Sequence, residues 1–347
     1  SAGNYNTLIG YNSGRNTYGT SYNCFMGFEA GYMTWAGYNT FIGYRAGYNH
    51  YGGSNNVIMG YMAGYNSSGE SNVFIGDSTG FNLSANTSIS SSFNVIIGKS
   101  SGVNNIGSYN TFLGYKSGYA NYGGNYNTFL GYEAGKSAET ASDNTFIGYM
   151  AGKKHGVKGG NVYIGSKAGQ ESRYGEQNVF IGEKSGYSNY WGKRNVIIGH
   201  EAGYNIYGTY ADNDNGSFNV YMGYQAGYTG TDIQKNVFIG YMAGNKSQSG
   251  SIWWYGGLNV FVGNQTGLEN TTGGQNVAIG DEAMKNNTTG HWNIAIGKMA
   301  LIGATGHSGE SNIALGKSAL GNHSTGSNNI AIGQDALMSN TTGEFNI

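Results

Sequence analysis

Asn6-Thr7-Leu8-Ile9-Gly10, followed by Ser13-Gly14, is the stretch on which the reading of this chain turns. It returns as Asn23-Cys24-Phe25-Met26-Gly27 and as Asn39-Thr40-Phe41-Ile42-Gly43. Its last full copy is Asn329-Ile330-Ala331-Ile332-Gly333, the nineteenth in 347 residues. The general form is Asn-(Thr/Val)-(Phe/Ile)-Ile-Gly-x-x-(Ala/Ser)-Gly, at a period of mostly sixteen or seventeen residues. Self-similarity at a short fixed period, end to end, is the signature of a solenoid in which each repeat is one rung. No segment falls outside the repeat, so the usual expectation of two or three domains for this length gives way to one array. The predicted fold is all-β, a parallel β-solenoid or β-roll of about nineteen rungs.

The three residues before the invariant corner glycine alternate as a short strand does, successive side chains pointing to opposite faces. Ile9, Met26, Ile42 and Met59 stand one place before the corner, and Thr7, Cys24, Val57 and Val73 three places before, on the same face. That face is expected to fill the coil. The opposite row, Phe25, Phe41, Phe74, Phe112, Phe129, Phe146, Phe180, Phe238 and Phe261, would then line the outside as an apolar stripe. Such a stripe far exceeds the few hundred Å² that monomers usually expose, so the row is predicted to be the interface of a homo-oligomer. Three places after the corner every unit has a small residue, such as Ser13, Ala30, Ala46 or Ala134, as a thin interior demands. The Asn four places before the corner (Asn6, Asn23, Asn39, Asn56, Asn72, Asn94, Asn110, Asn127, Asn144 and onward) reads as an inward structural ladder that caps turns. Each rung is therefore expected to hold two short strands, joined by the glycine corner and a polar loop. Helix is excluded, because two glycines interrupt each unit and no 3.6-residue apolar period survives.

Composition agrees. Glycine supplies 63 residues and proline none, which suits a ladder bonded on both sides, where a missing N–H would break a bond. Aromatics at 14% and a fixed apolar position in every unit argue against disorder. A net charge of −1, with 11% charged residues, leaves no basic footprint for nucleic acid and no polybasic patch for membrane. The single Cys24 sits where other units have Thr or Val and reads as a small side chain. No stretch approaches the roughly eighteen apolar residues of a spanning helix. Ser1-Ala2-Gly3 and Phe345-Asn346-Ile347 look like parts of neighbouring units, so the chain is expected to be a window on a longer protein.

The units beginning at Asn276, Asn293 and Asn329, each Asn-(Val/Ile)-Ala-Ile-Gly-x-x-Ala, resemble the head repeats of trimeric autotransporter adhesins. The resemblance covers about the last 80 residues and implies a homotrimer of left-handed parallel β-rolls on a bacterial surface. Similar units followed by Asn-Thr-Thr-Gly, as at 287–290 and 340–343, occur in phage and bacterial tail-fibre-like proteins. Residues 1–268 carry a Phe-Ile-Gly-Tyr-x-Ala-Gly-Tyr subtype and 269–347 an Ala-Ile-Gly-x-x-Ala-Leu subtype, continuous with the first. The switch is expected to change the girth, Ala in the outward row letting protomers approach.

Units lengthen in one loop, at about 82–93, 205–218, 246–258 and 302–311, which makes a decorated face. Trp253-Trp254-Tyr255 lies in one insertion and is the candidate contact for a surface glycan or host receptor, against packing on a neighbouring rung. Tyrosine rows at Tyr11, Phe28, Tyr44 and Tyr61, and at Tyr32, Tyr48 and Tyr65, are expected to stack rung on rung. Asp212-Asn213-Asp214-Asn215-Gly216 imitates half a calcium loop, but Gly223 stands where the closing acid belongs. The six histidines lack ligand spacing, and no nucleophile elbow, phosphate loop or paired carboxylates appear. No catalytic residue, cofactor or metal is expected. The function expected is a structural extracellular fibre or adhesin, with a particle tail fibre as alternative. An ice-binding solenoid stands behind both, because the threonine row is expected to look inward.

Overall fold

The computed structural model describes residues 3–82, 91–207, 216–230, 233–248 and 257–347. The chain forms two compact units, Ser1–Arg173 and Tyr174–Ile347. Both are parallel β-solenoids. The first holds ten three-residue strands from Thr7–Ile9 to Val162–Ile164, and the second holds nine from Val179–Ile181 to Ile330–Ile332. Within each unit every strand pairs in parallel with the equivalent strand one repeat away. Thr111, Phe112 and Leu113 lie opposite Thr128, Phe129 and Leu130, and Val277, Ala278 and Ile279 opposite Ile294, Ala295 and Ile296. Equivalent positions therefore stack on one another along each strand column.

Glycine sets the corner. Gly114 has φ 139°, a region that side chains rarely adopt, and a Cβ there would sit within 3.0 Å of the Gly131 carbonyl oxygen. Two places on, Lys116 takes the left-handed conformation at φ 52°, and Gly118 follows at φ 57°. These turns end the pleat, so the strand stops at three residues. They also correct the expectation of two strands per rung. Among the described residues, the second side is a strand only where Met33–Thr34 pairs with Asn49–His50. Elsewhere it is a run of turns that still bonds between rungs, as Gly118 N–H to Ala134 O at 3.0 Å and Gly135 N–H to Ala151 O at 2.9 Å.

The core contradicts the predicted facing. Phe25, Phe41, Phe74, Phe112, Phe129, Phe146, Phe180, Phe238 and Phe261 are fully buried inside the coil of a single chain, and are not an oligomer interface. Their rings stack on one another, Phe112 on Phe129 and Phe129 on Phe146 with centroids 4.9 Å apart. The Ile/Leu/Met and Thr/Val rows face outward instead. Period-two alternation defines two faces but not which is inside. The larger, mostly apolar row goes in, each Phe or Ile gaining roughly 1.5–3 kcal/mol from burial, while the row that tolerates Thr stays wet.

Room for the ring comes from the second glycine. A Cβ on Gly118 would collide with the ring of Phe112, and one on Gly135 with Phe129. Toward the C-terminus the pair is exchanged. Ala278, Ala295 and Ala314 replace the ring, and Met284, Leu301 and Leu320 replace the glycine, all buried. Leu301 keeps the left-handed backbone of the glycine it replaces, at φ 47°. That conformation costs a non-glycine residue roughly 1–2 kcal/mol, which burial of the leucine offsets. The change of subtype thus exchanges a buried ring for a buried leucine or methionine, and the Ala row on which the expected change of girth rested faces inward.

The predicted small residues, Ala30, Ala46 and Ala134, are fully buried beside these rings. The asparagine column closes the other end of the strand. From Asn23 to Asn144, each backbone N–H donates to the side-chain Oδ1 of the ladder asparagine one rung before, beginning with Asn23 on Asn6 at 2.9 Å. The amide nitrogen donates in turn to a carbonyl, as Asn127 Nδ2 does to Ala141 O at 2.8 Å. Buried amides are tolerable only when so paired.

Candidate functional surface

Each three-residue strand turns two side chains to solvent. One column is Thr, Val, Ile or, at position 24, Cys, and includes Thr111, Thr128, Val95 and Ile294; the other is Ile, Leu, Met or, at position 262, Val, and includes Leu113, Leu130, Ile239, Ile279 and Ile296. Leu113 is 44% exposed and Ile296 42%. In-register pairing aligns these residues in straight rows, about 4.8 Å apart along the stack. An aliphatic face repeated on every rung is rare on a monomer.

Aromatic columns flank that face. After the corner, Tyr11, Phe28, Tyr44 and Tyr61 stack with centroids 5.2–5.3 Å apart, and Tyr115, Tyr132 and Tyr149 at 5.1–5.3 Å. Before the ladder asparagine, Tyr5, Tyr22 and Tyr38 stack at 4.8–4.9 Å, and Tyr109 stacks on Tyr126 at 5.0 Å. Farther round the rung lie Tyr32, Tyr48 and Tyr65, and in the second unit Tyr187, Tyr204 and Tyr228. The left-handed residue two after the corner lies between two of these columns, so the Arg45 guanidinium lies over both Tyr44 and Tyr48.

Charges on this side pair both between and within rungs. Arg45 meets Glu29 at 2.8 Å, and Lys184 meets Glu201 at 3.0 Å. Glu133 takes Lys136 and Lys153, each at 2.7 Å. Burial of Glu133 opposes its charge, but the two ammonium groups prevail and hold its carboxyl below the usual range. Among the described residues, no group of three or more His, Cys, Asp or Glu is placed to hold a metal ion.

A second buried polar column was missed in the sequence. Its signal is a fixed offset of seven residues after the corner, which places Thr34, His50, Ser67, Asn105, Asn121, His155, Asn189, Asn270, Asn287 and His323 inside. Varied chemistry hides the column, since only position and burial are shared. His307 joins it from a longer unit. Asn287 Nδ2 donates to Asn270 Oδ1 at 2.9 Å, His307 Nδ1 meets Asn287 Oδ1 at 2.8 Å, and His307 Nε2 meets His323 Nδ1 at 2.9 Å. The geometry is satisfied by two neutral rings, each carrying its proton on Nδ1. Burial pushes the pKa of His307 down to about 3, with neighbouring His323 adding to the effect, and that of His323 down to about 4. Burial likewise brings His50 and His155 to about 4, against the weaker opposing pull of their backbone acceptors.

Trp253, Trp254 and Tyr255 lie outside the described residues, as does most of the calcium-like stretch, 212–215. Much of the predicted decorated loop lies there too, so the site geometry consists of the strand face and the aromatic columns. The fold defines the chain as a parallel β-solenoid repeat protein. In comparisons with known proteins, no family model and no curated sequence matches it.

Proposed function

We propose that this chain is a structural segment of an extracellular fibre or surface adhesin, assembled as a homotrimer of β-rolls. The observation that carries the reading is the aliphatic face formed by the Ile/Leu/Met column and its Thr/Val companion. It replaces the phenylalanine row as the self-association surface. At about 25 cal/mol per Å², covering such a face with copies of itself is strongly favourable, and a closed symmetric assembly covers every rung at once. The repeats that resemble adhesin heads point the same way, and Trp253, Trp254 and Tyr255 remain the proposed contacts with glycan or receptor. An antibody raised against the chain should label intact cells of the source, or intact particles if the fibre belongs to a virion. Labelling that appears only after lysis would contradict an external fibre.

One observation favours a second reading. Thr7, Thr40, Thr111, Thr128 and Thr145 stand on the outward face, contrary to the expectation that they look inward. A flat, regular Thr-rich array is what ice binding requires, although Val fills the column in the units from 162 to 277. Thermal hysteresis of a monomeric solution would favour ice binding over self-assembly.

A further inference from the structure

The molecule has 30 tyrosines and one cysteine, so no disulfide within the chain can join its rungs. Many of those tyrosines occupy exposed columns in which each ring lies on its neighbour one rung away. Tyr22 and Tyr38 have centroids 4.8 Å apart, Tyr109 and Tyr126 5.0 Å, Tyr44 and Tyr61 5.2 Å, and Tyr132 and Tyr149 5.3 Å. Their planes lie 9–19° from parallel. Inside a stack each π-face is covered by the next ring, and only the ring that ends a column keeps one face free. A tyrosine ring carries its hydroxyl, and the ortho carbons beside it, at the end far from the backbone, and these rings reach solvent. Tyr22 is 49% exposed, Tyr38 60% and Tyr61 53%.

We propose that these columns are oxidative modification sites, at which neighbouring rungs become joined through dityrosine. The co-reactant is hydrogen peroxide with a peroxidase-type one-electron oxidant. Each of two stacked phenols gives up one electron and one proton, forming two tyrosyl radicals. The radicals combine through their ortho Cε carbons, and the two ring protons displaced there return the rings to phenols. In balance, two tyrosines and one hydrogen peroxide give one dityrosine and two waters. The rings are already paired and exposed, so coupling requires only that their outer edges lean together. Each link closes a loop one repeat long and removes freedom from the unfolded chain, as a disulfide does.

The molecule carries its own control. Tyr18 is 71% exposed and Tyr122 49%, yet neither stacks on another ring among the described residues. The test is to treat the whole protein with horseradish peroxidase and limiting hydrogen peroxide, then map cross-linked peptides by mass spectrometry. The expected products lack two hydrogens and join Tyr22 to Tyr38, Tyr44 to Tyr61, Tyr109 to Tyr126, and Tyr132 to Tyr149 within one chain. Tyr109→Phe with Tyr126→Phe, which keeps the stack and removes the phenols, should delete that product alone. The cross-linked protein should also unfold at a higher denaturant concentration. Coupling of Tyr18 and Tyr122 as readily as the stacked pairs would overturn the proposal. So would links that fall mainly between chains, or oxidation without cross-linking.

Discussion

A single side chain decides how each rung is filled. Phe112 needs the space left by Gly118, and Ala295 needs the leucine supplied by Leu301. Ala295→Phe should therefore overpack the core and destabilise the protein by about 1–3 kcal/mol. Leu301→Gly alone should open a cavity and cost about 2–5 kcal/mol. Together they recreate the Phe/Gly pair, so denaturant unfolding of the double variant should show a loss well below the sum. Additive losses would refute the volume exchange. The same pairs carry the information that fixes the facing of the strand. Alternation alone left two answers, and the deciding signal was the joint change of ring and glycine at Ala278/Met284, Ala295/Leu301 and Ala314/Leu320. The buried histidines give a second prediction. His50 and His155 titrate near 4 when folded against an ordinary 6.5, so the unfolded chain takes up protons that the folded one refuses. Their stabilisation is complete above about pH 6.5 and is lost as pH falls toward 4, on the order of 3 kcal/mol for each. Melting temperature should drop steeply across that window, and His155→Ala should flatten the drop. A melting temperature unchanged down to about pH 4 would contradict the neutral buried rings.

At the scale of the element, a rung is a three-residue strand, a glycine corner and a turn-built return, repeated in register. Strand, corner, small residue and asparagine ladder were legible because each occupies a fixed offset with nearly fixed chemistry. The return side was not, because it is built from left-handed residues of many types, Glu29, Arg45, Met62 and Lys116 among them. The second polar column was hidden for a related reason, its offset being fixed while its chemistry varies. Solenoid rungs draw stability from their neighbours. Removing residues 111–127 joins Asn110 to Thr128, and so places Phe129 on Ile96 and Asn127's role on Asn110. The shortened protein should keep its circular dichroism spectrum in proportion to length and melt within several degrees of the parent. Loss of the β signal would show that the rungs do not stand on nearest neighbours alone.

For the molecule as a whole, the central question is which face meets a second copy. With the phenylalanines inside each coil, the aliphatic rows outside are the surface left to explain, and self-assembly is the explanation given. Sedimentation equilibrium of the wild-type chain beside Leu113→Glu with Leu130→Glu tests this most directly. Both leucines are exposed in the single chain, at 44% and 40%, so the variant should fold and retain its spectrum. The wild type should sediment at three times the chain mass at micromolar concentration, and the variant at a single chain mass. A wild-type chain that sediments as a monomer, indistinguishable from the variant, would contradict it.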